Sequence, residues 1–441
     1  MKLYLPLAGL AALPILLSAC AFYEPLPLES KPHLVTSLPT DVDNGKPLTM
    51  ADITRLTLKL NPDLQAARND RQIASAHIIQ AGILPNPQFG GSYGFLLSGP
   101  AMFDSYGLGL SEDIKALIVR GAAQDSAEFD AHKVDADLLW QEWQTISKAQ
   151  LLDVDLVEMQ KQREIMEQER QLLADHHAKS HQALLSGNLD LTVEAPDLTA
   201  LSDITKQLAD LDRQVQTKWQ ELDALLGLEP SVRFELSADV PVAPIDSIKA
   251  RETLSELPKI RPDLIALQYG YQSQEEKLRG AILGQFPALV FGGTYGPDTS
   301  HVYSGGPTIT LDLPIFNRSQ GNIAIETATR QKLHDDYTNR LNSADGEAKA
   351  ILDSRALLHE QYDRMQKTLP EAQANATDAE RAFQAGNIDE RTYVDLKIAY
   401  FNQQLQAIAL KQSLLEKQIA LATLMGVNMP VLKPLSSEEK P

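Results

Sequence analysis

The 441-residue sequence predicts an α+β membrane protein: four short strands per chain contribute to a shared β-barrel, the barrel stands on long α-helices, and the chain is an internal tandem repeat. Three observations predict it. Four sequence blocks recur in the same order about 200 residues apart, each copy carries a Gly- and Pro-punctuated pair of alternating segments, and one stretch of 65 residues contains neither Gly nor Pro.

Composition removes several other classes. A single Cys allows no intrachain disulfide and no Cys-based zinc site. With 40 Lys and Arg against 59 Asp and Glu, the net charge of -19 argues against nucleic acid as a partner, because phosphates need a basic face. The one long apolar run, Leu3 to Leu17, follows Lys2 and ends in Leu17-Ser18-Ala19-Cys20, the anatomy of an export signal over residues 1–19. That ending resembles the bacterial lipobox, which implies cleavage before Cys20 and a diacylglycerol and palmitate on the mature N-terminus, with no other cofactor expected. Ala21, where a retention signal has Asp, resembles the pattern of lipoproteins sorted to the outer membrane. Residues 20–47 then form the lipidated tether, extended because of Pro25, Pro27, Pro32, Pro39 and Pro47.

The repeat comes from self-comparison. "NPDLQAARNDRQIASAHI" from Asn61 aligns with "RPDLIALQYGYQSQEEKL" from Arg261, "FGGSYG" from Phe89 with "FGGTYG" from Phe291, "SGNLD" from Ser186 with "AGNID" from Ala385, and "LLGLEP" from Leu225 with "LMGVNMP" from Leu424. Repeat 1 therefore covers residues 48–228 and repeat 2 covers 248–429, with a linker over 229–247 and a polar tail over 430–441. A capping box at Thr49-Met50-Ala51-Asp52 opens a short amphipathic helix, and a longer helix follows to about Ala81.

Strands are expected at about 86–98, 104–114, 287–297 and 303–313. In the first, Phe89, Gly91, Tyr93, Phe95 and Leu97 alternate with Gln88, Gly90, Ser92 and Gly94, and the other three follow suit. Small polar residues opposite aromatic and apolar ones suit a sheet with water on one side and lipid on the other. A soluble hairpin with one buried face fits the same alternation. Pro307 suggests a strand end or bulge.

From Ala122 to Ser186 a helix of roughly 100 Å is expected, with Leu138, Leu139, Ile146, Leu151, Leu152, Leu156, Val157, Ile165, Leu172 and Leu173 packing along other helices. In repeat 2, Gly346 and Pro370 suggest kinks or interruptions. Four strands cannot close a barrel, the smallest having about eight, so strands are pooled between subunits, and three chains give twelve.

Over residues 48–429 these blocks, with "LDLPIFNRSQGNIAIETA" from Leu311 and "LPEAQANATDAERAFQAGNIDERTYVDL" from Leu369, resemble the outer membrane factor family, the TolC-like exit ducts of tripartite efflux pumps and type I secretion systems. The wording "NPDLQAAR" and "AGILPNPQF" is similar to the heavy-metal cation efflux branch. The resemblance implies a homotrimer with a twelve-stranded outer membrane barrel on a long periplasmic α-helical barrel. It also implies a periplasmic adaptor, an inner-membrane transporter driven by protons, and contact with outer membrane lipid.

Periplasmic tips that dock the adaptor fall by motif at Leu185, Ser186, Gly187 and Asn188, and at Phe383, Gly386 and Asn387; both Gly and Asn tolerate the positive φ a helix reversal needs. The gate of the family falls at Asp395, nine residues past the second tip glycine, and the corresponding stretch of repeat 1, "GNLDLTVEAPDL", has no Asp at that offset. A solvated helix-face aspartate is the alternative.

His176, His177 and His181 cluster near the first tip, and His177 with His181 at i, i+4 have a spacing that chelates zinc or copper, although such clusters also occur without a metal. Trp140 and Trp143 read as packing residues. No phosphate loop, nucleophile elbow or acid–base carboxylate pair is present, so no enzyme is expected. An export duct for small toxic solutes, with heavy-metal cations as the branch's cargo, is the leading expectation. A type I protein secretion duct and a non-conducting structural coiled-coil lipoprotein are the alternatives.

Overall fold

The computed structural model describes residues 23–40, 42, 45–99, 103–242, 244–427 and 430; Cys20, the expected signal over 1–19 and nearly all of the expected tail lie outside them. In chain order the elements are α1 (Met50–Leu60), α2 (Pro62–Gly82), β1 (Gln88–Gly94), β2 (Ser105–Asp113), α3 (Ile114–Leu185) and α4 (Leu191–Leu226). Then come α5 (Ser247–Thr253), a 3-10 turn, α6 (Leu257–Ile260), α7 (Pro262–Leu283), β3 (Ala288–Pro297), β4 (Tyr303–Asp312), α8 (Gln320–Gln384) and α9 (Glu390–Leu424). The order of long helix, hairpin, very long helix and half-length helix thus occurs twice.

Local chemistry sets the boundaries. Thr49 and Asp52 form the reciprocal capping box that starts α1. The Asn61 side chain accepts from Leu64 N at 2.8 Å to cap α2, and donates to the Leu225 carbonyl at 2.7 Å, fixing α2 against the end of α4. β2 runs directly into α3, whose 72 residues extend roughly 110 Å.

Two expectations about proline and glycine need correction. The interruption expected in repeat 2 does not occur, because α8 is one helix through Gly346 and Pro370. Pro370 lies on the exposed side of the helix, where the carbonyl it leaves without an N–H partner can take water. At Pro307 there is neither an end nor a bulge: pairing continues through Pro307↔Gly293. β4 is an edge strand within the chain, where a missing N–H is tolerated. β1 also stops at Gly94, opposite Ser105, so Phe95 and Leu97 lie beyond it; the Asp104 carboxylate accepts from Leu96 N and from the Tyr93 hydroxyl, each at 2.8 Å, and turns the chain there.

The core lies along the helices. Around the middle of α3, Leu152, Leu156, Ile53, Leu56, Leu222 and Leu226 form one cluster, closed by Val42, Leu48 and Leu228. Two parallel bridges, Val35↔Leu228 and Leu48↔Leu236, bind the segment before α1 to the segment after α4. Residues 152–158 of α3 are consequently buried on every side, including Asp153, Asp155 and Glu158. A second cluster joins Leu257, Leu264, Ala344, Ala348, Leu352 and Leu421, and a third, nearer the helix reversals, joins Met166, Leu173, Ile204, Leu208, Leu211 and Val394.

The two halves are tied by a buried ionic group. Arg261, 0% exposed, donates Nε and Nη2 to Asp263 at 2.9 and 2.7 Å, and its guanidinium lies 4.8 Å from the centre of the Trp140 ring. Arg340 donates to the same Asp263 at 2.6 Å, so α3, α7 and α8 meet at one carboxylate. Burial alone pushes Asp263 up, but hydrogen bonds and charge from Arg261 and Arg340 outweigh it and hold the carboxyl below its ordinary range.

Candidate functional site: an uncovered sheet and two helix reversals

The sheet has the order β1-β2-β3-β4, all antiparallel. Its register aligns the alternation of all four strands. Phe89, Tyr93, Tyr106, Leu108, Leu110, Phe291, Tyr295, Ile309 and Leu311 share one face and are exposed. The opposite face carries Gly90, Ser92, Gly107, Ser111, Thr294, Ser304, Thr308 and Thr310. No layer of the described chain covers the aromatic face, so a soluble hairpin with one buried face is not what the fold contains. A contiguous exposed apolar face of this kind marks contact with a membrane or a partner. β1 and β4 each leave one edge unpaired within the chain. Among the described residues no helix is long and apolar enough to cross a membrane.

The helix reversals at the other end repeat one geometry. Gly187 has φ 72° and Gly386 φ 74°. Gly187 N donates to Leu184 O at 3.0 Å and Asn188 N to Ala183 O at 2.9 Å; Gly386 N donates to Phe383 O at 2.9 Å and Asn387 N to Ala382 O at 2.8 Å. Both are Schellman endings, in which the left-handed residue lets two late carbonyls be satisfied. Asp190 and Asp389 then cap α4 and α9 through Thr192 N and Thr392 N. Leu185 is 76% exposed at the first reversal, and at the second Phe383 stacks on Tyr393 with ring centres 5.2 Å apart. Replacing Gly187 or Gly386 by Ala should cost about 1 kcal/mol each, because a Cβ is disfavoured at positive φ. Faster hydrogen exchange of the amide at position 187 and of the Asn188 amide in Gly187→Ala, with little change in Gly187→Asn, is the expected readout.

Asp395 is exposed on α9 and has no hydrogen bond or ion pair among the described residues, whereas its neighbour Val394 is packed against Met166, Leu173 and Ile204. The histidines are in a different situation. His177 Nε2 and His181 Nδ1 each lie 3.1 Å from the same oxygen, Oε1 of Glu194 on the first turn of α4. His176 Nε2 lies 3.4 Å from Asp197 Oδ2, with Glu390 Oε1 3.7 Å from its Nδ1. Sequence reasoning reached the His177 and His181 pair but missed Glu194, Asp197 and Glu390. For Glu194 and Asp197 the signal was present as the acids of "TVEAPDL" one reversal downstream, which the hairpin geometry brings back to α3, whereas Glu390 comes from the start of α9 in the other repeat.

Residues 254–427 match the family model described as Outer membrane efflux protein. Outer membrane protein OprJ of Pseudomonas aeruginosa is 24% identical over 242 residues, 51% of this chain and 49% of OprJ, so the match spans about half the length of that curated relative. Among solved structures, CusC, described in terms of transmembrane channel formation, superposes with a TM-score of 0.68 at 16% identity, covering 92% of this chain and 100% of that one. The chain shares the fold of CusC. The CmeC outer membrane channel of Campylobacter jejuni gives 0.69 at 16% identity, over 86% of this chain and 85% of its own.

Proposed function

We propose that this chain is the outer membrane channel subunit of a tripartite efflux system, three copies of which pool their strands into a twelve-stranded barrel. The observation that carries it is the four-stranded sheet with one aromatic face uncovered and both edges open. Open edges are intolerable in hydrocarbon, where every backbone group needs a partner, so the sheet can face lipid only when β1 and β4 pair with other copies. Strands of seven to ten residues approach the length a tilted membrane strand needs. The small polar face then lines the lumen. The recurring element order supports an origin by tandem duplication.

Cys20 serves as the lipid anchor in the outer membrane. At the periplasmic end, Leu185, Ser186, Gly187, Asn188, Phe383, Gly386 and Asn387 form the tips on which an adaptor docks, and the exposed Leu185 offers an apolar contact there. Energy comes from a proton-driven inner-membrane transporter. The duct itself is passive and carries small toxic solutes, heavy-metal cations among them, as the resemblance to that branch suggests.

Asp395 acts as the gate. Three unpaired carboxylates around an axis make an electronegative constriction that favours cations and binds multivalent ones. Trimers carrying Asp395→Ala, recorded in planar bilayers, should lose most of the block by a trivalent cation added from the tip side. Block unchanged from the wild type would remove Asp395 from the gate while leaving the channel reading intact.

A further inference from the structure

The first helix reversal holds a side-chain group that the export reading does not use. His177 and His181 stand one turn apart on α3 with their rings stacked, centres 5.7 Å apart. The reversal at Gly187 brings Glu194 back between them, and the three donor atoms all lie within 4.8 Å of one another. Each imidazole nitrogen is 3.1 Å from Glu194 Oε1, close to the separation of about 3.3 Å between ligands that share a tetrahedral ion at 2.0–2.1 Å.

What distinguishes Glu194 is that its buried carboxylate faces two imidazole nitrogens and, among the described residues, no Lys or Arg. Its side chain is 6% exposed, and a buried carboxylate needs a compensating positive charge. Several other buried acids have one: Glu158 meets Lys161 and Lys411, Asp155 meets Lys218, Asp223 meets Arg233, and Asp263 meets Arg261 and Arg340, whereas Asp153 and Glu169 are buried without an ion pair among the described residues and burial raises the pKa of both. Lys179 pairs with Glu390 at 2.8 Å and Arg391 with Asp197 at 3.7 Å. Among the described residues, the ion-pair partners of Glu194 are His177 and His181 alone.

We propose that His177 Nε2, His181 Nδ1 and Glu194 Oε1 form a binding site for one borderline divalent transition-metal ion, of which zinc is the type. Two imidazoles and one carboxylate suit zinc and its neighbours; calcium and magnesium prefer all-oxygen shells, and cuprous copper prefers thiolate or thioether sulfur. His181, with its side chain 51% exposed, leaves the fourth position open to water. Because the ligands come from the last turns of α3 and the first turn of α4, the ion would staple the two helices across the first reversal and stiffen that tip. The site stands independently of the channel reading, since it is complete within one chain.

Zinc titrated calorimetrically into the purified, chelator-treated full chain in detergent provides the test. The expected result is one zinc per chain and a melting temperature that rises with zinc. Glu194→Gln, which keeps the shape of the side chain, and His181→Ala, at a half-exposed position, should each weaken binding at least about tenfold and abolish that rise. The cobalt-loaded wild type should show the intense visible absorption of a four-coordinate nitrogen–oxygen site. Metal-free melting equal to that of the wild type establishes that both variants fold. No zinc uptake by the wild type, or uptake of equal affinity in both folded variants, would overturn the proposal.

Discussion

Replacing Arg261 by Ala should destabilise the chain by about 3–5 kcal/mol, the cost of breaking a buried ion pair by removing one partner. Three losses combine. Asp263 keeps only Arg340, the Trp140 ring loses the cation over its face, and a void opens where α3, α7 and α8 meet. The buried residues around the site, from Arg261 to Ala266, leave little room for water to substitute. Arg261→Met combined with Asp263→Asn should cost markedly less, because it removes both charges and keeps most of the volume. Denaturant unfolding followed by far-UV circular dichroism measures both. Similar midpoints for the two variants would show that the ion pair is not what holds the three helices together.

Asp153→Asn should act in the opposite direction and depend on pH. Asp153 is 2% exposed, its Oδ1 has no hydrogen-bond partner among the described residues, and burial raises its pKa from 3.8 to about 7. The folded chain therefore holds this proton more tightly than the unfolded chain. The contribution of Asp153 to stability is most favourable below about pH 4, declines as pH rises toward 7, and carries the full penalty of the buried charge above that. The amide removes the penalty, so the variant should be more stable by roughly 2–4 kcal/mol at pH 8 and nearly equal to the wild type at pH 4. Unfolding midpoints of the two proteins across that range give the comparison. A stability difference that does not change with pH would mean that the carboxyl stays ionised in the folded protein.

Strand and helix order were legible because their signals are local. Alternation of Phe89, Gly91 and Tyr93 against Gly90 and Ser92 needs only period two, and Gly-Asn at 187–188 and 386–387 names a left-handed helix ending by residue type. Proline misled at positions 307 and 370 because its cost depends on which neighbour would have received the missing hydrogen bond: at 307 the pairing of β4 with β3 continues through the residue, and on the exposed helix face at 370 that neighbour is water. Contacts across the long hairpins were not legible. Glu194 lies 17 residues from His177, and Arg261 meets Trp140 across more than a hundred residues, so both depend on how α3, α4 and α7 lie against one another. The enclosure of Asp153 was hidden for the same reason. Val35 and Leu48 pair with the segment after α4 and help to close a belt around α3 that periodicity along α3 alone does not show.

That copies of the chain close one another's open sheet into a conducting barrel is tested most directly by single-channel recording of the purified protein in planar lipid bilayers. Discrete, long-lived conductance steps with cation preference are the predicted result. Bilayers that remain silent after the folded protein has been shown to insert would contradict it.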